Sequence, residues 1–396
     1  MSIQPSAPIV EPLPLEGINV VVLTSGHEVL DSRVYGREAL SLHRLGAHVT
    51  VVGKLTRGTP GVVAVKSIRP PRSRLQRFLV QPWRCLRAAR HLKPDIVHFH
   101  DAEMLAILPV ARLFWPRAKF VYDVHEDFAD LMMIRDWLPR ALRPLARGMT
   151  DICEKLLARL AQGIVAVTPP LAAVFPHRQR VSAMNFPTAE FLGVAAAARR
   201  DPPDRRYDFV HLGTLNERRA LFLAEMAREF HAMRPGSRSL IVGASSEILE
   251  FLRERLPEGC QLQGMVAHDE VPRLLGDARV GIDVHPWPDR HLQPALAVKI
   301  CEYMAAGSAV VASWMPVLAD VLRRSSPSPA GVTVIRGGEP RDYAAAVIGF
   351  LDRIDAGEDP GESSRRFAME HMRWEPEAMN IATLYRALLR DGPCAS

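Results

Sequence analysis

The sequence predicts an α/β protein of two doubly wound, parallel-sheet domains. Three observations carry that expectation. At 396 residues the chain is longer than one ordinary hydrophobic core supports, so two domains are expected. Short apolar runs alternate with helical patterns, pause near residue 190 and restart at Tyr207. Finally, the stretch from Lys299 to Ser313 reads as a short helix, a glycine stop at Gly307 and a strand of small and β-branched residues too apolar to be half exposed.

The elements follow in order. Residues 1–16 hold Pro5, Pro8, Pro12 and Pro14 without a basic and apolar leader, so they read as a loose tail and not a signal peptide. An apolar strand at 18–23 leads into a turn with Gly26 and His27, a helical pattern through Gly46 and a second strand at 49–53. Strands at 93–100, 119–125 and 163–168 are separated by helices at 101–114 and 151–161, which completes an N-terminal domain over 17–190. The small, charged, proline-containing segment 191–206 suits a linker. The pattern restarts with a strand at 207–213, a helix at 218–233 and strands at 239–243, 261–264 and 280–284, giving a second domain over 207–373. Trp374-Glu375-Pro376 opens a final amphipathic helix, 374–392.

With 48% hydrophobic and 24% charged residues the composition is that of a soluble globular protein. Five cysteines without Cys-x-x-Cys spacing argue for a reducing, cytoplasmic compartment and against a zinc site. No apolar run reaches roughly 18 residues, so no bilayer-spanning segment is expected. The net charge of +6 is uneven: between Glu38 and Asp95 there are twelve Lys and Arg and no acid, so the rest of the chain sums to −6. Leu79, Trp83 and Leu86 lie among those arginines. The segment 69–93 therefore reads as a solvated basic face or as a contact for an anionic membrane surface, through Arg74, Arg77, Trp83 and Arg84. No helix-turn-helix, finger or aromatic RNA-binding pattern accompanies it, so nucleic acid is not expected.

Ligands of open parallel sheets sit at the carboxyl ends of the strands, and several polar residues hold that address. Gly213 and Thr214 follow the first strand of the second domain and lead into a helix whose backbone N–H groups favour a diphosphate, with Arg219, or Arg218 in its place, as the bidentate cation. Lys299 and Glu302, three apart on one helix face, suit a ligand with both phosphate and ribose hydroxyls. In the first domain His100 and Asp101 end one strand and His125 and Glu126 the next, while alternation puts His98 on the same face as His100 and assigns it to packing. No Asp-x-Asp element occurs among these residues, so no metal is expected. No cofactor is expected either.

The segment from Pro294 to Gly307, with its Lys-x-x-Glu-Tyr-Met-Ala-x-Gly core, resembles the sugar-nucleotide signature of family-4 retaining glycosyltransferases. Pro294 stands where many members carry the first of two glutamates. The Asp-Val-His-Glu run at 123–126 is similar to a loop in a subset of that family, and Asp31-x-Arg33 to an acceptor-side element. The resemblance implies the GT-B fold, two facing Rossmann-like domains with a last helix crossing back to the first. It implies that His125 faces the donor sugar, that Glu126 accepts from the acceptor hydroxyl, and that Gly26, His27 and Arg33 lie on the acceptor side. For Arg33 a structural pairing with Asp31 is the alternative. It further implies transfer of a sugar from a nucleoside-diphosphate sugar to a glycan or lipid-linked acceptor in cell-surface polysaccharide or glycolipid synthesis, on the cytoplasmic face of the inner membrane. A sugar-nucleotide epimerase of the same fold and a non-catalytic GT-B-like binding protein are the rival readings.

Overall fold

The computed structural model describes residues 13–135, 137–287 and 290–390. The expected tail up to residue 12, and positions 391–392 of the expected last helix, lie outside them. The chain divides into two compact units, one running to Ala183 and resuming at Pro376, the other Met184–Glu375.

Unit 1 is built on a parallel sheet of seven strands: β1 (Asn19–Glu28), β2 (His48–Lys54), β3 (Ala64–Ile68), β4 (Ile96–Phe99), β5 (Lys119–Val124), β6 (Gly163–Ala166) and β7 (Arg180–Ser182), in the order β3-β2-β1-β4-β5-β6-β7. The order reverses at β1, which pairs with β2 on one side and β4 on the other. That reversal is where a doubly wound sheet opens a crevice. After β1 the chain enters α1, π-helical over Ser32–Ala39 and regular over Leu40–Arg44, with the Asp31 carboxylate capping Arg33 and Val34. The helices α2 (Arg74–Leu79) and α3 (Gln81–Ala89) precede β4, and α4 (Leu108–Phe114) follows it after a 3₁₀ turn, Ala102–Ile107. Between β5 and β6 run a short α5 (Phe128–Leu131) and the long α6 (Arg143–Ala158). The terminal helix, Trp374–Arg390, belongs to this unit from Pro376 on, and Leu384 and Leu388 lie where a Cβ on Gly163 would sit.

Unit 2 carries a six-stranded parallel sheet in the order β10-β9-β8-β11-β12-β13: β8 (Tyr207–Leu212), β9 (Ser239–Val242), β10 (Cys260–Gln263), β11 (Ala278–Asp283), β12 (Ala309–Ser313) and β13 (Val332–Ile335). β8 is followed by α9 (Glu217–Met233), and the predicted helix between β11 and β12 is α12 (Val298–Ala305). β12 is fully buried, as its composition requires.

The expected linker at 191–206 is corrected by the structure. Thr188 caps a helix, α8 (Ala189–Ala198), that buries Phe191, Leu192 and Ala195 and packs on α11 (Val271–Gly276) in unit 2. Its alanines, read as the mark of a connector, are strong helix formers. The change of unit accordingly falls at Ala183/Met184 and not at 190.

Candidate active site

In unit 1 the carboxyl ends of β1, β4 and β5 bring together Gly26, His27, His100, Asp101, Asp123 and His125. Asp101 is fully buried, and its Oδ2 accepts from the Thr24 hydroxyl (2.8 Å), Ser25 N (2.8 Å) and Gly26 N (3.0 Å). Burial alone would raise its pKa, but the pairing with His27 and those donors hold it well below the usual carboxylate range. Asp101 therefore pins the irregular part of β1 between Leu23 and Glu28 and orients His27, whose Nδ1 lies 3.2 Å from Oδ1. Although burial opposes it, the Asp101 carboxylate also raises the His27 pKa above that of a free histidine. Gly26 is required by the close approach, since a Cβ there would collide with Asp101 and with the guanidinium of Arg77.

Asp123 is the hub of the second part. Its Oδ2 accepts from His100 Nδ1 and His125 Nε2, both at 2.9 Å, and from Arg33 Nε at 2.8 Å, while Oδ1 takes Arg33 Nη2 at 2.8 Å. A carboxylate that only accepts favours an N–H at His100 Nδ1 and at His125 Nε2, two nitrogens that also lie 3.0 Å from each other. Burial pushes Asp123 up, but Arg33 and the two imidazoles hold it well below the normal range. Burial drives His100 down to about 3, so it stays neutral. Behind them, burial and the Asp123 charge raise Glu38 well above an ordinary glutamate, against the pull of Arg33. Its Oε2 is 3.2 Å from His98 Nε2, and His98 Nδ1 meets the Tyr385 hydroxyl at 2.5 Å.

Two of the expected residues are engaged within unit 1. Arg33 is buried, and its guanidinium is engaged by Asp123, by the Ala183 carbonyl (2.8 Å) and by Glu38 (2.9 Å). Its side chain is committed to two buried acids, while its backbone N–H donates to Asp31 Oδ1 at 2.8 Å, the structural pairing named as the alternative. Arg77, expected at a membrane face, turns its Nε onto Glu103 (3.0 Å) and Nη2 toward Asp101 (3.5 Å). Of the rest of that basic group, Arg74 and Trp83 are exposed and Arg84 bonds the Arg69 carbonyl and Gln81; Glu126, expected at the site, is exposed on the loop after β5. Among the described residues Glu38, His98, His100 and Asp123 lie close enough to share a metal ion, but the Arg33 guanidinium already bridges the two acids.

In unit 2, α12 is fixed by Tyr303, whose hydroxyl donates to the Ile282 carbonyl and accepts from Leu212 N at 2.7 Å, tying it to β11 and β8. Lys299 and Glu302, four residues and one residue before Tyr303, are thereby placed at the strand ends. Lys299 Nζ lies 3.3 Å from Asp283 Oδ1, and Lys299 is a close neighbour of Gly213, which has φ +110°. Gly243 packs so closely against the Gly213 backbone that a Cβ would clash. Asn216 caps α9, and Arg219 folds back so that Nη2 donates to the Thr214 carbonyl (2.6 Å) and Nη1 to His285 Nε2. His285 Nδ1 in turn donates to Asp283 Oδ2 at 2.9 Å. Burial lowers the Lys299 pKa against the pull of Asp283, and His285 and Lys299 hold Asp283 well below the carboxylate range despite burial. Glu302 pairs with His268 at 3.1 Å. The turn thus carries two cations, one buried acid and a helix N-terminus, a fit for a dianionic diphosphate. Arg218 takes another course and stacks on Trp287 at 3.7 Å, so Arg219 is the cation that faces the turn. Sequence reasoning missed Asp283 and Glu38, which stand in no recognisable spacing, and did not give Asp123, though part of the Asp-Val-His-Glu run, its role as a hub.

Residues 32–185 match the model of Glycosyltransferase Family 4, and residues 206–353 that of Glycosyl transferases group 1. No curated protein matches the sequence. Among solved structures, sucrose-phosphate synthase from Thermosynechococcus elongatus superposes with a TM-score of 0.70 at 15% identity, covering 95% of this chain and 100% of that one. Anabaena HepE in complex with UDP-glucose gives 0.66 at 13% identity, with 93% and 100% covered. An alpha-glucosyltransferase in complex with UDP and a 13-mer DNA gives 0.62 at 13% identity, with 92% and 100% covered. At these identities the likeness shows the fold, GT-B. With both domain models matched in that order over that fold, the chain is a glycosyltransferase of family 4, group 1.

Proposed function

We propose that this protein is a retaining, metal-independent hexosyltransferase that takes its sugar from a nucleoside-diphosphate donor. The observation that carries the reading is the Gly213 turn, where Lys299, Arg219 and the N-terminus of α9 converge. Those positive groups neutralise the leaving diphosphate, the part a divalent cation plays in other transferases. Glu302, close by on α12, accepts from ribose hydroxyls. That the similar HepE structure holds UDP-glucose supports a nucleotide-sugar donor. His125, tethered by Asp123, hydrogen-bonds the transferred sugar through Nδ1. In a front-face departure the donor phosphate oxygen takes the proton of the incoming hydroxyl, so no protein nucleophile is needed.

The acceptor in this reading is a glycan or lipid-linked sugar of cell-surface polysaccharide or glycolipid synthesis. The enzyme meets it on the cytoplasmic side of the membrane with its basic segment 69–93 against anionic lipid. No helix among the described residues is long and apolar enough to cross a membrane. Incubation with labelled sugar nucleotides and membrane-extracted acceptors in a chelator tests the proposal. The reading expects transfer with the donor's anomeric configuration kept. Inverted product, or transfer only with added metal, would refute it.

A further inference from the structure

The helix α6 is inside out. Its exposed positions are Pro144, Leu145, Met149, Ile152, Cys153 and Leu156, and none is charged. Its charged side chains are half-buried or buried and already partnered: Arg143 on the Leu138 and Met133 carbonyls, Arg147 on Asp130, Lys155 on Asp151, and Glu154 on the Tyr122 hydroxyl. With Leu142 of the preceding turn, Leu145, Met149, Ile152 and Leu156 form a stripe in which each side chain is 50–63% exposed. A helix of a soluble protein normally arranges the reverse.

We infer that this stripe is an interfacial blade that seats unit 1 on an anionic bilayer surface, extending the docking proposed above for segment 69–93. Two observations select that occupant. The stripe is closed at both ends by exposed arginines, Arg140 in the 3₁₀ turn before α6 and Arg159 at its C-cap. Pairing with a second copy, parallel or antiparallel, would set arginine against arginine, whereas lipid phosphates complement both ends. The stripe is also not isolated. α3 and α6 both pack on the 3₁₀ turn Ala102–Ile107, so the exposed Trp83 of α3, in the basic segment, shares its layer of helices. An apolar face with basic ends has the chemistry of a surface-bound element.

Flotation with vesicles of phosphatidylglycerol and phosphatidylethanolamine, against vesicles of phosphatidylcholine, tests this on the intact protein. The native chain is expected to float with the anionic vesicles and to be released by high salt. The double variant Leu145→Gln/Ile152→Gln, at exposed positions, should need at least tenfold more lipid while keeping its melting temperature and its nucleotide-induced thermal shift. Equal flotation of variant and native protein would overturn the inference. So would absence of flotation together with a concentration-dependent dimer that the double variant abolishes. Loss of nucleotide binding with flotation intact would remove the functional reading and leave the docking surface standing.

Discussion

Replacing Arg33 with methionine keeps much of the side chain's reach and removes the guanidinium that holds Asp123. In the native unit that guanidinium makes two hydrogen bonds to the carboxylate, one to the Ala183 carbonyl and an ion pair with Glu38, all out of solvent. Deleting one partner of a buried pair costs about 3–5 kcal/mol, because the other is left charged and uncompensated. The His100 and His125 donors remain on Asp123, and the carboxyl can take up a proton, so the lower end, about 3 kcal/mol, is expected here. Amide exchange of peptides spanning β4 and β5 reads that loss in unit 1 separately from unit 2. The double variant Arg33→Met/Asp123→Asn should recover about 2 kcal/mol of it, since the orphaned charge is gone. A loss below about 1 kcal/mol, or strictly additive single and double variants, would refute the account of Asp123 as a hub neutralised by Arg33.

Three further expectations follow from the same geometry. Glu302→Ala should weaken nucleotide-sugar binding by about 1.5–3 kcal/mol, the scale of a charge-assisted hydrogen bond, and calorimetry showing unchanged affinity would remove Glu302 from the site. His125→Ala should lower kcat far more than it raises KM, whereas the reverse split would make His125 a binding residue. Because the His27 pKa is raised in the folded chain, its pairing with Asp101 stabilises unit 1 fully below pH 6.5 and is lost as pH rises through the folded value. His27→Gln should therefore be less stable than native protein at pH 6 and indistinguishable from it at pH 9; an equal deficit at both would contradict the ion pair.

What could be read in the sequence was what local pattern encodes. The α12–Gly307–β12 stretch was legible because i,i+3 spacing, a left-handed glycine and a wholly apolar strand all fall within fifteen residues. The Gly213 turn was legible for the same reason. β3 (Ala64–Ile68) and β7 (Arg180–Ser182) were not, since edge strands with exposed polar residues lack the apolar run that marked β1 and β12. The role of Arg33 was hidden by distance along the chain: Asp123 is 90 residues away, and nothing near position 33 signals a buried acid. Asp283 and His285 form the other side of the Lys299–Arg219 cluster, but an Asp-x-His at the end of one more strand has no distinguishing spacing. Segment 191–206 misled because an alanine-rich helix and a small-residue linker share a composition, and only the packing of Phe191 and Leu192 separates them.

The central claim, that the Gly213 turn with Lys299 and Arg219 binds a nucleoside diphosphate without metal, is most directly tested by thermal-shift titration in a chelating buffer. Native protein and Lys299→Met would be titrated with UDP, GDP and ADP. The account predicts a rise in melting temperature for native protein with one of the three, growing with the logarithm of concentration by mass action, and its loss in Lys299→Met. No shift with any nucleotide until a divalent metal is added, or an equal shift in the variant, would contradict it.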